Sequence, residues 1–80
     1  MIDLAAIRRA ARLTQTQLAS NLGVGQAQIS KVERQDDMLI STLGSYLKAL
    51  GVTASLVVEL GDHHVTYDLT AGKGRDDGPD

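Results

Sequence analysis

The chain has 80 residues, two tyrosines as its only aromatic side chains, no cysteine and a formal net charge of −2. This length gives one small domain whose core is only just large enough to fold alone, which favours a dimer as a further source of buried surface. The composition predicts an aliphatic core of Leu, Ile, Val and Ala, and it excludes a disulfide framework and a thiolate metal site. No apolar run approaches the ~20 residues of a membrane span, and the N-terminus lacks the apolar stretch of a signal peptide, so we expect a cytoplasmic protein.

The charges are distributed unevenly along the chain. Residues 1–34 carry five basic and two acidic side chains, a balance of +3, whereas residues 35–80 carry three basic and eight acidic ones, a balance of −5. Phosphate binding depends on the charge of the contact face and not on that of the whole chain. The distribution is therefore compatible with DNA binding by the first half, and it gives the acidic half a different task, such as binding a basic partner protein.

A first helix is predicted from Asp3, which can cap it, to near Arg12. Its apolar side chains recur at helical spacing and form the buried face: Leu4, Ile7 and Ala11. Arg8 and Arg12 are four residues apart and project to the same side. They form either a solvated face or, because of the motif that follows, a contact with DNA phosphates.

Residues 14–34, TQTQLASNLGVGQAQISKVER, predict two short helices joined by a tight turn. Thr14 and Gln17 have the spacing of a capping box, and Gly23 stands where the first helix must stop, because glycine enters a left-handed turn without penalty. Seven positions fit one template of two crossing helices: Leu18, Ala19, Leu22, Gly23, Val24, Ile29 and Val32. This is the arrangement of a helix-turn-helix, whose second helix enters a DNA major groove. The alternative is a plain helical hairpin of the kind found in bundles.

The runs LTQTQLASNLGV and QISKVE resemble the Cro/cI-like (XRE) family of DNA-binding domains, over about residues 4–60. The resemblance implies a lambda-repressor-like four-helix domain. It also implies that Gln15 anchors a backbone phosphate at the N-terminus of the first helix of the motif, where free N–H groups and the helix dipole attract an anion. The alternative is that Gln15 is merely a helix former. The predicted phosphate contacts are Gln15, Thr16, Arg8, Arg12 and Arg34.

The second helix of the motif, over about residues 26–34, turns its apolar residues inward and its polar residues outward. The outward residues are the predicted base contacts: Gln26, Ala27, Gln28, Ser30 and Lys31. The Gln26 amide can bridge adenine N6 and N7, a contact worth roughly 1–3 kcal/mol of discrimination, and Ala27 can touch a thymine methyl group. Lys31 can reach a guanine or a phosphate, whereas Gln28 has the alternative of capping its own helix. Gly25 stands where the family usually places a capping Ser or Thr, so this position contributes little beyond close approach.

A fourth helix is predicted from Met38 or Ile40 to Leu50, with Gly51 as its stop signal. Its expected buried stripe is Ile40, Leu43, Leu47 and Leu50. Gly44 inside this helix costs about 1 kcal/mol relative to alanine. It either makes a close packing contact or is tolerated on the exposed side.

From residue 52 the apolar residues recur with a period of two, which predicts a β-hairpin. Residues 61–64, GDHH, form its turn, in which His63 is expected to need a positive φ. Because a lone hairpin is marginally stable, it must lie on the helices or pair edge to edge with a second copy. Residues 70–80 have no apolar anchor and are expected to form a mobile tail.

The phrase QDDMLISTLGSYLKALG, followed by a hairpin, is similar to HigA-type antitoxins of bacterial type II toxin–antitoxin pairs. That resemblance implies a homodimeric repressor that binds a palindromic operator, autoregulates its operon and neutralises a basic RelE-like toxin. The alternative is a stand-alone or phage-type Cro-like regulator without a toxin partner. The sequence shows no pair of side chains spaced for acid–base catalysis, no nucleophile with an activating base and no set of metal ligands. We therefore expect no enzymatic activity, metal or cofactor.

The fold predicted from the whole sequence is mainly α: a lambda-repressor-like four-helix helix-turn-helix domain followed by a C-terminal β-hairpin. The helix-turn-helix DNA-binding domain covers residues 1–51, the hairpin covers residues 52–69 as a candidate dimerisation element, and the flexible tail covers residues 70–80. The protein is expected to be nucleoid-associated when bound to DNA.

Overall fold

The computed structural model describes residues 2–71. Four helices come first in the chain, and a two-stranded antiparallel sheet follows them. The elements are α1 (Leu4–Ala10), α2 (Gln15–Leu22), α3 (Gln26–Arg34), α4 (Ile40–Leu50), β1 (Ser55–Leu60) and β2 (His63–Asp68). The predicted fold class is confirmed. Most of the predicted tail, from residue 72 onward, lies outside the described residues.

Helix α1 begins as its sequence predicts, because the Asp3 carboxylate accepts a hydrogen bond of 3.0 Å from the backbone N–H of Ala6. It ends at Ala10, two residues before the predicted end. The cause is Arg12, whose φ of 64° lies in the left-handed region and which cannot continue a right-handed helix. The chain therefore turns into α2 through a non-glycine residue in an uncommon conformation.

Tyr46 belongs to the core, which corrects the expectation of an aliphatic interior. It is 1% exposed and packs among the buried aliphatic side chains. These are Leu4, Leu18, Ala19, Ile29, Val32, Leu47 and Leu50. A tyrosine can be buried in this way because its hydroxyl finds polar partners inside the protein.

The same finding corrects the predicted stripe of α4. Ile40 remains 46% exposed, and the buried face runs instead through Leu43, Tyr46, Leu47 and Leu50. These four positions have the i, i+3, i+4, i+7 spacing of one helical face.

Gly44 marks the place where the chain crosses α4 after leaving the hairpin. A Cβ atom at this position would lie 2.5 Å from the carbonyl oxygen of Leu69, so the first of the two readings of this glycine, a close packing contact, is correct. The crossing segment is also fixed by a 3.0 Å hydrogen bond from the backbone N–H of Leu69 to the carbonyl of Ala54.

The hairpin turn is shorter than predicted. His63 and His64 lie in β2, opposite Leu60 and Glu59. Only Gly61 and Asp62 form the loop, and Gly61, with φ 64°, supplies the positive φ that was expected of His63. Every residue of both strands is exposed. Within residues 2–71, no helix has the length and apolar character needed to span a bilayer.

We expect Gly44→Ala to destabilise the protein. In an open helix this change would stabilise by about 1 kcal/mol, but here the new methyl group meets backbone, and overpacking of this kind costs about 1–3 kcal/mol. Urea unfolding followed by circular dichroism measures the change, with Ser45→Ala on the exposed side of the same helix as the control. A Gly44→Ala protein more stable than the wild type would contradict the contact.

Candidate nucleic-acid interface

Helix α2 begins with the predicted capping box. The backbone N–H of Gln17 donates to Thr14 Oγ1 at 3.0 Å, and the backbone N–H of Thr14 donates to Gln17 Oε1 at 2.8 Å. The helix ends at Gly23, whose φ of 74° is left-handed. The N–H of Val24 then returns to the carbonyl of Ala19 at 3.0 Å. Local sequence chemistry thus fixes both ends of the first helix of the motif and the turn after it.

Helix α3 follows Gly25, whose extended backbone (φ −82°, ψ 158°) stands at the N-cap. No side chain of the described residues caps this helix, so the alternative in which Gln28 caps its own helix is wrong. The backbone N–H of Gln28 instead bonds to the Gly25 carbonyl at 3.1 Å. The Gln28 side chain remains on the exposed surface.

The inward face of α3 is as predicted, and so is its outward face except at Ser30. Ile29 is 1% exposed and Val32 is 6% exposed. Four of the predicted base-contacting residues are exposed: Gln26, Ala27, Gln28 and Lys31. Ser30 is half-buried, and its hydroxyl accepts a hydrogen bond from the guanidinium of Arg34. The polar face of α3 is therefore available to a ligand, and its contacts with bases stay a prediction.

Gln15 and Gln26 are brought together. The amide nitrogen of Gln26 donates to the amide oxygen of Gln15. The amide nitrogen of Gln15 in turn donates to Glu33 Oε1 at 2.9 Å. The residue predicted to bind a phosphate thus orients the residue predicted to read a base, and both are connected to a carboxylate in the protein interior. Thr16 lies exposed beside Gln15 in the first turn of α2.

Arg8 is not on the exposed surface. Its Nε donates to Glu33 Oε2 at 2.6 Å, a second nitrogen lies 3.3 Å from Glu33 Oε1, and the third donates to the Leu13 carbonyl at 3.0 Å. The side chains of the pair are only 10% and 6% exposed. The expectation that Arg8 projects beside Arg12 and contacts phosphate is corrected, because the guanidinium is buried and already paired.

Tyr46 completes this cluster. Its hydroxyl lies 2.6 Å from Glu33 Oε2 and 3.1 Å from the carbonyl oxygen of Leu4. Glu33 therefore receives hydrogen bonds from three side chains on three other helices: Arg8, Gln15 and Tyr46. We call these four residues the Glu33 cluster.

Charge and burial act against each other in the Glu33 cluster. Burial works to raise the pKa of Glu33, but the hydrogen bonds from Arg8, Tyr46 and Gln15 outweigh it and hold the pKa below its ordinary value. The hydrogen bond to Glu33 raises the pKa of Arg8. Burial, with the neighbouring Glu33 carboxylate, raises the pKa of Tyr46 well above its ordinary value. Arg8 and Glu33 are therefore both charged and Tyr46 is neutral at physiological pH.

The Glu33 cluster was missed by the sequence reasoning, although the sequence carries a signal for it. Arg8 is four residues after Leu4 and so lies on the apolar stripe of α1. Glu33 is four residues after Ile29, directly beside Val32. Opposite charges on two buried helix faces indicate an internal ion pair, since a buried charge requires a partner.

The two remaining arginines of the phosphate prediction are exposed. Arg12 follows α1 in its left-handed conformation, and Arg34 ends α3. Their roles stay predictions.

Comparison with known proteins agrees with this geometry. The profile of the Helix-turn-helix family matches residues 4–57, which contain all four helices. The chain belongs to this family, in its XRE-type branch. No curated protein sequence matches the chain significantly.

The solved structures that are similar to this helix-turn-helix protein include two HigA antitoxins. One is a DNA-bound antitoxin HigA3, with 36% sequence identity and a TM-score of 0.76, covering 82% of this chain and 88% of the other. The second is a HigA antitoxin that is described as inducing DNA bending by a unique dimerization. It has 38% sequence identity and a TM-score of 0.73, covering 89% of this chain and 92% of the other. The resemblance to HigA-type antitoxins drawn from the sequence is confirmed at the level of structure.

The Glu33 cluster predicts how stability depends on pH. The pKa of Glu33 is lower in the folded than in the unfolded chain, so its stabilising charge is fully present above the ordinary value of 4.5 and is lost as the pH falls through the lower folded value. We expect Glu33→Gln to cost about 3 kcal/mol at pH 7, because it leaves the Arg8 charge buried without a partner. The loss should shrink below pH 4.5.

Urea unfolding between pH 2 and pH 7 measures this dependence. Asp36→Asn, which changes an exposed carboxylate, is the matched control and should follow the wild type. Equal pH profiles for Glu33→Gln and Asp36→Asn would mean that the ion pair does not contribute as described.

Proposed function

We propose that this helix-turn-helix protein is a sequence-specific transcriptional repressor that works as a HigA-like antitoxin. The observation that carries the proposal is the exposed polar face of α3, with Gln26 held at its N-terminal end by Gln15. A helix presented in this way fits a major groove, where its N-terminal residues meet base edges.

Gln26 is the residue we assign to base recognition. Its amide nitrogen carries two hydrogens, and the bond to Gln15 uses one of them. The second hydrogen and the amide oxygen are left to bridge adenine N7 and N6. Ala27, beside it, meets a thymine methyl group, and Lys31, about one turn further on, reaches a guanine or a phosphate. Gln28 and Ser30 complete the base-contacting face.

Phosphate binding is assigned to the N-terminus of α2 and to the exposed arginines. The first turn of α2 contains no acidic side chain of its own, and its positive dipole and the N–H groups that the capping box does not use can attract an anion. Gln15 and Thr16 stand in this turn. Arg12 and Arg34 add sequence-independent attraction that weakens with salt.

The repressor acts as a homodimer on a palindromic operator. One of the two similar HigA antitoxins is described as dimerizing. The small core of a chain of this length also gains buried surface from a second copy. Two recognition helices on one face of DNA must lie about 34 Å apart to enter successive major grooves. The protein is nucleoid-associated while it is bound there.

Toxin neutralisation is the second part of the proposal. Both similar structures are antitoxins, and the acidic balance of residues 35–80 suits a small basic partner of the RelE-like ribonuclease type. The antitoxin then represses its own operon. The second candidate is a stand-alone or phage-type Cro-like regulator, which the match to the Helix-turn-helix family supports equally. The family and both similar structures favour a non-enzymatic regulator.

Gln26→Ala and Arg12→Gly should weaken DNA binding in different ways. Gln26→Ala removes a base contact, so we expect a loss of about 1–3 kcal/mol on the preferred sequence and little loss on other DNA. Arg12→Gly keeps the left-handed backbone without strain, and it should weaken every sequence and flatten the salt dependence. Fluorescence anisotropy with duplexes selected from a random pool, at several salt concentrations, separates the two effects.

The control for both variants is Ser45→Ala, on the exposed side of α4. If Gln26→Ala and Lys31→Ala both leave the affinity for the selected duplex unchanged, the recognition face is wrongly assigned.

The toxin partner is tested by the neighbouring reading frame and its product. We expect a small basic RelE-like protein that co-purifies with this chain, and whose inhibition of growth is relieved when both are expressed. A neighbouring gene unrelated to toxins, together with repressor activity that needs no partner, would support the stand-alone regulator instead.

A further inference from the structure

One face of the hairpin is apolar except at its turn end, where His63 lies opposite Leu60. The strand register places Leu56 opposite Tyr67 and Val58 opposite Val65. Because residues opposite each other in a sheet share a face and side chains alternate along a strand, Leu60 lies on the same face. We call these five residues the hairpin face: Leu56, Val58, Leu60, Val65 and Tyr67.

The opposite side of the hairpin is mostly polar. It carries Ser55, Val57, Glu59, His64, Thr66 and Asp68. Both carboxylates of the two strands are therefore turned away from the hairpin face. A sheet with this division ordinarily packs its apolar side against another layer.

That other layer is missing within the described chain. The five side chains of the hairpin face are between 43% and 57% exposed, and no strand residue is buried. A two-stranded hairpin with an uncovered apolar face is marginally stable in water. Something outside residues 2–71 of one chain must cover it if the hairpin is to persist.

The exposed apolar surface continues onto the start of α4. Ile40 and Tyr67 line the same cavity between α4 and the hairpin. Ile40 is 46% exposed, and Leu39 before it is 72% exposed. The hairpin face and this end of α4 thus form one surface.

We propose that a second copy of this chain covers the hairpin face, with Leu39 and Ile40 at its border. The inference rests on the proposed homodimer and names the surface that forms it. The chemistry of this face decides the occupant, because its five apolar residues carry no charge, the imidazole of His63 lies at the turn end, and both strand carboxylates are on the other side. About a two-fold axis each copy presents the same surface to the other, and apolar residues meet their own copies without repulsion. A basic nuclease would be drawn to Glu59 and Asp68 on the other side.

The hairpin face also favours packing face to face over the edge-to-edge pairing first considered. Edge pairing would satisfy the unpaired backbone N–H and C=O groups at the edge of the hairpin, but it would leave the five apolar side chains in water. Six-residue strands are about 20 Å long, so the face alone covers a few hundred Å², below the roughly 800 Å² per partner of a standard interface. The contact must therefore extend beyond the strands, which the surface at Leu39 and Ile40 provides.

Neighbouring valines offer a matched pair of variants. Val57 and Val58 are adjacent in β1, 50% and 46% exposed, and lie on opposite faces. We expect Val58→Asp to raise the dimer dissociation constant about a hundredfold, because it places an unpaired carboxylate in the seam, and Val57→Asp to leave it unchanged. Sedimentation velocity on the free protein, without DNA, measures both.

A cysteine cross-link keeps the test informative if Val58→Asp fails to fold. The chain has no cysteine, so Val58→Cys should give a disulfide-linked dimer on oxidation and Val57→Cys should not.

A monomeric wild type, or a dimer that Val58→Asp leaves intact, would overturn the proposal. A Val58→Asp protein that stays dimeric but no longer captures the neighbouring nuclease would overturn it in favour of a toxin surface. DNA binding is measured separately on single half-sites, so failure of the seam is distinguishable from failure of the repressor assignment.

Discussion

The buried ion pair between Arg8 and Glu33 is the interaction on which the helical domain depends. It joins α1 to α3, Tyr46 brings in α4, and Gln15 brings in α2. Taking two charges out of water is costly unless further hydrogen bonds satisfy them. Here the Glu33 cluster supplies those bonds, so the four helices must keep its members within hydrogen-bond reach of one another.

The same interaction extends to the surface that we propose for DNA recognition. From Glu33 the hydrogen bonds pass through Gln15 to Gln26 at the start of α3. A side chain held in its binding geometry before DNA arrives loses less conformational entropy on binding. The buried Glu33 carboxylate thus contributes to orienting Gln26, the side chain that we propose contacts bases, whereas Arg8 is buried too deeply to touch DNA.

Sequence reasoning succeeded where the determinants are local. The capping box of Thr14 and Gln17, the left-handed Gly23 and the inward pair Ile29 and Val32 all follow from spacing, and the structure places them as predicted. It failed where the determinant is a contact between distant segments. The burial of Tyr46 depends on Glu33 and Leu4, and the position of Gly44 depends on Leu69; neither partner can be identified from one helix alone. The left-handed Arg12 was also missed, because arginine carries no local signal for that conformation.

Side-chain amide shifts of the five glutamines test the central claim that α3 presents Gln26 to DNA from a fixed support. Nitrogen-15 spectra of the protein, free and bound to a selected duplex, separate the glutamines by position. The account predicts large changes at Gln15 and Gln26, a smaller one at Gln28, and none at Gln17, which is held in its capping box. Unchanged Gln15 and Gln26 signals in a saturated complex, with shifts confined to other parts of the chain, would contradict it.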